Sequence, residues 1–143
     1  MTANGGSTFT AAVRENVING ADESAIRALA GAGNPSMALT IEANTVNAPG
    51  TAGHAIYIAS GASKNDTATL CAKIARNRLG GAPVRLLRAA PAATLALDPQ
   101  RRFTAANAAE AAVAAANGGA TVSVAARNGA APEFAAATCR LPE

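Results

Sequence analysis

Alanine fills 41 of the 143 positions, and this excess limits what the chain can fold into more than any other feature. Hydrophobic residues make up 50% of the chain, but Leu, Ile, Val and Phe together number only 25. Burial of a large apolar side chain contributes about 2 kcal/mol, whereas an alanine methyl group contributes about 0.8 kcal/mol. The core is therefore expected to be thin. We expect a homo-oligomer, or an accessory protein that docks on something larger.

Several classes of protein are excluded by composition. Apolar residues never run for the length of a membrane-spanning helix. The first ten residues, MTANGGSTFT, lack the basic and apolar regions of a secretory signal. Charged residues make up 15% of the chain, which together with its apolar content argues against disorder. We expect no membrane association, and a cytoplasmic location unless the protein belongs to a virus particle.

The chain has the length of one domain, and residues 1–8 are predicted to form a flexible arm before a globular domain at 9–143. Alternation of apolar and polar residues, with turn signals between segments, predicts strands at 38–42, 54–59, 84–87, 94–97 and 121–126, and a last strand within 134–141. Helices are predicted at 22–33, at 67–79 and, capped by Thr104, at 104–117. Residues 9–18 and 67–79 also fit strands.

Short connections between the predicted strands favour antiparallel neighbours. The expected fold is an α+β domain with a mostly antiparallel sheet and a few alanine-rich helices. The alternative is a β-sandwich or jelly roll with helical insertions. No repeat with a period of 20 to 50 residues is evident.

Two cysteines, Cys71 and Cys139, are too few for a disulfide scaffold. Without an export signal, two buried thiols in a reducing compartment are the favoured interpretation. A single disulfide between them stays open, because spacing alone does not show it.

Few catalytic residues are present, and we expect no enzyme activity, cofactor or metal. His54 is the single histidine, and no Cys-x-x-Cys pair or phosphate-binding loop occurs. The alternative is a small cytosolic enzyme or ligand-binding domain that uses His54 with Ser60, Ser63 or Cys71.

Positive charge is concentrated between Thr67 and Arg102, where seven basic residues accompany one acid, Asp98. Such a stretch attracts acidic protein surfaces or phosphate. Nucleic acid is a further alternative, but aromatic residues make up only 3% of the chain, too few for stacking on bases. The candidate partner-binding residues are Lys73, Arg76, Arg78, Arg85, Arg88, Arg101 and Arg102.

In its alanine-rich composition, flexible N-terminus and basic stretch, the chain resembles the head decoration (cement) proteins of tailed phages. The resemblance covers the whole chain but has no diagnostic motif. It implies a structural protein of the virion surface that clamps major capsid subunits, often as a dimer or trimer and sometimes with a jelly-roll fold. It assigns no site residues. A minor capsid protein is a related possibility.

Overall fold

The computed structural model describes residues 1–47, 53–97, 103, 105–131 and 139–143. Within these ranges the chain forms short strands and one helix. The strands are β1 (Thr2–Gly5), β2 (Thr8–Arg14), β3 (Val17–Asn19), β4 (Ser24–Gly33), β5 (Ser36–Glu42), β6 (Thr45–Asn47), β7 (His54–Ser60), β8 (Thr69–Ala75), β9 (Val84–Arg88), β10 (Thr94–Leu97) and β11 (Val122–Ala126). The helix, α1 (Ala106–Ala116), lies between β10 and β11.

The described strands pair only in parallel and form three sheets. Sheet A has the order β1-β4-β7-β9-β11, sheet B the order β10-β8-β5-β2, and sheet C pairs β3 with β6. Neighbours in a sheet come from successive passes of the chain: Thr8 pairs with Ser36, and Ser36 with Thr69. The backbone therefore winds as a parallel β-solenoid of about three turns.

The core lies between sheets A and B and is built from stacked rows of side chains. Ile26, Ile56 and Val84 lie at one register position of sheet A and are buried. Met37 and Leu70 form a matching buried row in sheet B. Alanines fill other inward positions, and these small side chains suit two sheets that lie close together. A thin supply of large residues is enough here, because each turn also bonds to its neighbours through backbone hydrogen bonds.

The predicted antiparallel α+β domain is wrong, and the structure is not a β-sandwich or jelly roll either. Short links such as the one from β4 to β5 resemble hairpin turns in sequence. In the structure they are corners at which the chain passes from one sheet to the next. The partner of each strand lies a full turn away along the chain, which local pattern does not reveal.

Alanine content misled the helix predictions. The helices predicted at 22–33 and 67–79 are strands β4 and β8, and the ambiguous segment 9–18 contains β2. Strands predicted at 38–42, 54–59, 84–87, 94–97 and 121–126 are confirmed as β5, β7, β9, β10 and β11. The helix predicted at 104–117 is confirmed as α1, although its N-cap is Ala105 without a side-chain hydrogen bond. Thr104 and most of the last predicted strand lie outside the described residues.

The two ends of the solenoid differ. At the C-terminal end, α1 packs beside β11, and the Glu110 carboxylate accepts a hydrogen bond from the Val124 N–H at 2.9 Å. At the N-terminal end, β1, β2 and β3 are the outermost strands of their sheets. Residues 1–8, predicted as a flexible arm, contain β1, and the Met1 ammonium group donates to the Arg27 carbonyl at 2.7 Å.

Candidate functional site

Four asparagines stack at the corner that follows sheet B, which we call the asparagine corner. Asn16, Asn44, Asn77 and Asn117 come from successive turns, and the side-chain amide of each of the first three donates to the side-chain oxygen of the next at 2.8–3.0 Å. The backbone N–H of each of the first three also donates to the next side chain at 3.0–3.1 Å. This ladder fixes the register of the turns and was not predicted. The repeat Asn-Val-Ile-Asn at 16–19 and Asn-Thr-Val-Asn at 44–47 was the signal that could have revealed it.

The opposite corner, between sheets A and B, is built differently, and we call it the glycine corner. Gly5, Gly33 and Gly61 turn there with positive φ. The Asp66 carboxylate accepts hydrogen bonds from the N–H groups of Gly33, Ala62 and Ser63 at 2.7–2.8 Å. The bonds from Ser63, Gly33 and Ala62 lower the pKa of Asp66 to about 2.

Cys71 and Cys139 are joined in a disulfide, so the prediction of two free thiols is wrong. Cys71 lies in β8 and is fully buried. Beyond Cys139, the Pro142 carbonyl accepts hydrogen bonds from Thr40 in β5 and Arg14 in β2. The described C-terminal residues thus connect three neighbouring strands of sheet B, and the disulfide anchors them.

Glu42 is the centre of a charged cluster on the outer face of sheet B. Its side chain is nearly buried, and Lys73 Nζ and Arg76 Nη2 lie 2.8 and 2.9 Å from its Oε1. Arg14 Nε lies 3.7 Å from Oε2. The contact with Lys73, aided by the charges of Arg76 and Arg14, lowers the pKa of Glu42 despite its burial. Two of the predicted partner-binding cations are therefore already paired within the chain.

The other predicted cations that the structure describes, Arg78, Arg85 and Arg88, do not join this cluster. Arg85 lies on sheet A, where its register places it beside Tyr57. Arg88 donates hydrogen bonds to the carbonyl oxygens of Ala93, Pro91 and Ala131. Arg78 is exposed beyond the ladder, and Arg101 and Arg102 lie outside the described residues. The basic stretch is thus divided between two sheets rather than gathered in one patch.

His54, the first residue of β7, lies in an open groove of about 320 Å³. Its ring centroid is 5.7 Å from that of Tyr57, and the Arg27 guanidinium lies 5.7 Å from the same tyrosine ring. Burial and, to a smaller extent, the charge of Arg85 lower the pKa of His54 below 6.5, so the imidazole is neutral at neutral pH. The lining residues are Asp22, Glu23, Ser24, Arg27, His54 and Tyr57.

The structure does not assemble the catalytic arrangement considered for His54. Ser60 lies at the other end of β7, about 20 Å away at the rise of a strand, and its buried hydroxyl donates to the carbonyl oxygens of Ala68 and Thr94. Cys71 is in the disulfide. Ser63 lies beyond Ser60, where its N–H bonds to Asp66.

The described residues contain no cluster of His, Cys, Asp or Glu suited to a metal ion. In the same part of the chain, no helix has the length and apolar character needed to span a membrane. Comparisons of the chain with family models, curated proteins and solved structures find no match. The fold therefore defines the class, a short parallel β-solenoid, and function has to be argued from the site.

Proposed function

We propose that this chain is a non-enzymatic structural protein that assembles with another protein chain through the N-terminal end of its solenoid. The observation that carries the proposal is the contrast between the two ends. At the C-terminal end, α1 packs against β11 and its Glu110 accepts a hydrogen bond from the Val124 N–H, whereas three strand edges at the N-terminal end have no neighbour among the described residues. Exposed strand edges are templates for pairing with another chain.

The side chains at that end support a docking role. Val17 is 66% exposed and Met1 38% exposed, and both line an open recess in which apolar side chains lie beside the polar Asn16 and Arg27. Exposed apolar groups beside unpaired backbone are typical of an interface. A decoration or minor capsid protein, as the compositional resemblance implies, is one kind of protein that works in this way.

The disulfide bears on where such an assembly works. Disulfides persist in oxidising surroundings and are rare in the cytosol. We therefore favour a site outside the reducing cytoplasm, such as a particle surface, over the cytoplasmic location expected from the sequence. Thiol titration of the native protein under denaturing, non-reducing conditions should find no free thiol, and two free thiols would contradict this part of the proposal.

Site-specific photocrosslinking in the native source tests the docking role. A photoreactive residue at Val17 probes the open end, and one at Ala111, an exposed position of α1, is the matched control at the closed end. We expect one discrete protein adduct from position 17 and none from position 111. Adducts from both positions alike, or from neither, would contradict docking through the N-terminal end.

A second candidate function is binding of a small polar ligand in the groove beside His54. The groove combines carboxylates, a guanidinium group, a phenol and a neutral imidazole, which together offer donors and acceptors around an aromatic ring. A ligand that raises the melting temperature of the chain but not that of His54→Ala would favour this function. If His54→Ala and Tyr57→Ala leave the binding of that ligand unchanged, the groove is not its binding site.

A further inference from the structure

We infer that the partner at the N-terminal end is a second copy of this chain, held head to head by antiparallel pairing of the two β2 strands. This inference deepens the proposed function and rests on it. It concerns the edge of sheet B, where β2 pairs with β5 on one side and with no described strand on the other.

The side-chain pattern of β2 is symmetric about its centre. Phe9, Ala11 and Val13 face inward, pack against the core and remain partly exposed. Between them, Thr10 and Ala12 face outward and are exposed. A two-fold axis through Ala11 therefore sets Phe9 opposite Val13 of the second copy, with Ala11 opposite its own equivalent.

This arrangement continues the core of both copies. Residues directly opposite each other in an antiparallel pair point to the same face of the sheet. Phe9 of one copy and Val13 of the other then cover each other's exposed edges, while Thr10 meets Ala12 on the outer face. A two-fold interface needs such a self-complementary surface, and β2 supplies it.

Charge does not oppose the pairing. Strands β1, β2 and β3 contain no lysine or proline, the residues that commonly block an exposed edge. Their single charged residue is Arg14, which is held by Glu42 and Pro142 of its own chain and faces Thr8 in the two-fold register. The Asn16 Oδ1 also accepts no hydrogen bond from the described residues, so the ladder ends with an open acceptor at this end.

Sedimentation velocity of the purified chain across a wide concentration range tests the inference. The unaltered chain should dimerise reversibly. In Thr10→Lys/Ala12→Lys, each lysine faces a lysine of the other copy, and the dimer dissociation constant should rise about tenfold or more. Ala111→Lys/Ala115→Lys adds the same charge to exposed positions of the closed end and should leave the dimer unchanged.

A charge-swapped variant tests the register. In Thr10→Glu/Ala12→Lys, each glutamate faces a lysine of the second copy, so dimerisation should return to the unaltered level or above it. A chain that stays monomeric, a dimer insensitive to Thr10→Lys/Ala12→Lys, or failure of the swapped variant to restore association would overturn the inference. If crosslinks from Val17 reach a different protein and never a second copy, the proposed function stands and this inference fails.

Discussion

The asparagine corner and the glycine corner both turn the backbone from one sheet to the next, but they use different residues to do so. Both need residues with positive φ to turn the chain. At the glycine corner these residues are Gly5, Gly33 and Gly61. At the asparagine corner they are Glu15, Ala43 and Arg76, with φ of 56°, 57° and 58°, each directly before a ladder asparagine.

Space explains the difference. A Cβ atom on Gly33 would lie 3.1 Å from Gly5 Cα, and one on Gly61 would lie 2.8 Å from Ala90 Cβ. Glu15, Ala43 and Arg76 are exposed, so their side chains have room outside the corner. At Gly33 and Gly61 the glycine corner therefore excludes side chains for lack of room, whereas a Cβ atom on Gly5 would meet no other atom within 4 Å. The asparagine corner accepts them at the cost of a left-handed backbone, which the adjacent ladder holds in place.

Breaking the ladder at its centre should have the largest effect. Asn77→Ala removes the acceptor of the buried Asn44 N–H and one of the three acceptors of the Asn44 side-chain amide. It also removes the hydrogen bonds that the Asn77 amide donates to the Ile41 and Ala75 carbonyl oxygens. An unsatisfied buried donor and these lost bonds are costly together, so the free energy of unfolding should fall by about 4 kcal/mol in chemical denaturation. Asn16→Ala, at the exposed end of the ladder, is the control and should cost about 1 kcal/mol. Equal losses would show that the ladder is not a connected unit.

Adding a side chain at the glycine corner should cause the second-largest loss of stability. Gly61→Ala adds a methyl group against Ala90 and Ala93 at a φ of +82°. Left-handed strain and overpacking together should destabilise the fold by about 3 kcal/mol. Gly20→Ala has a φ of +65° with open space around it and should cost only the strain, about 1 kcal/mol. If both variants lose the same amount, close packing does not explain the glycine corner.

The sequence predicts strands better than it predicts their arrangement. Apolar residues at every second position predict strands within Ser36–Glu42 and His54–Ser60, although in the structure nearly every residue of both strands is buried or half-buried. This pattern fails at Ser24–Gly33, where alanine favours a helix until the buried row of Ile26, Ala28 and Ala30 is completed by other turns.

The sequence does not reveal that the chain forms a solenoid, because the length of the repeat varies from turn to turn. Ladder asparagines at 16, 44, 77 and 117 are spaced by different numbers of residues, and α1 replaces part of the last turn. The groove beside His54 likewise depends on a contact between turns that local sequence does not reveal. His54 was identified from sequence as the one histidine, and Tyr57 follows it in the same strand, but Arg27 reaches Tyr57 only through the parallel register of β4 and β7.

Acid should weaken the glycine corner without titrating the amide ladder of the asparagine corner. The folded-state pKa of Asp66 is about 2, below its ordinary value of 3.8, so its contribution to stability is present above about pH 4 and is lost as the pH falls towards 2. Asp66→Asn should therefore lower the melting temperature at neutral pH, and the difference from the unaltered chain should shrink below about pH 4. Asn16→Ala should show no such convergence, because amides do not titrate. A pH-independent Asp66→Asn difference would contradict the proposed role of the carboxylate.

Relieving the strain at the asparagine corner should produce the smallest effect, and one of opposite sign. Ala43 is exposed and has a φ of 57°, so Ala43→Gly loses little burial and removes a left-handed penalty of about 1–2 kcal/mol. Glycine's greater freedom in the unfolded chain offsets part of that gain, which leaves a net stabilisation of about 0.5 kcal/mol. Ala32→Gly, at an exposed strand position of β4 without positive φ, should instead lose about 0.5–1 kcal/mol. Opposite signs for these two matched substitutions, measured by denaturant unfolding, would show that the ladder holds a strained backbone. If Ala43→Gly and Ala32→Gly lose the same stability, the turn before Asn44 is unstrained. The two corners would then differ only in the room that they leave for a side chain.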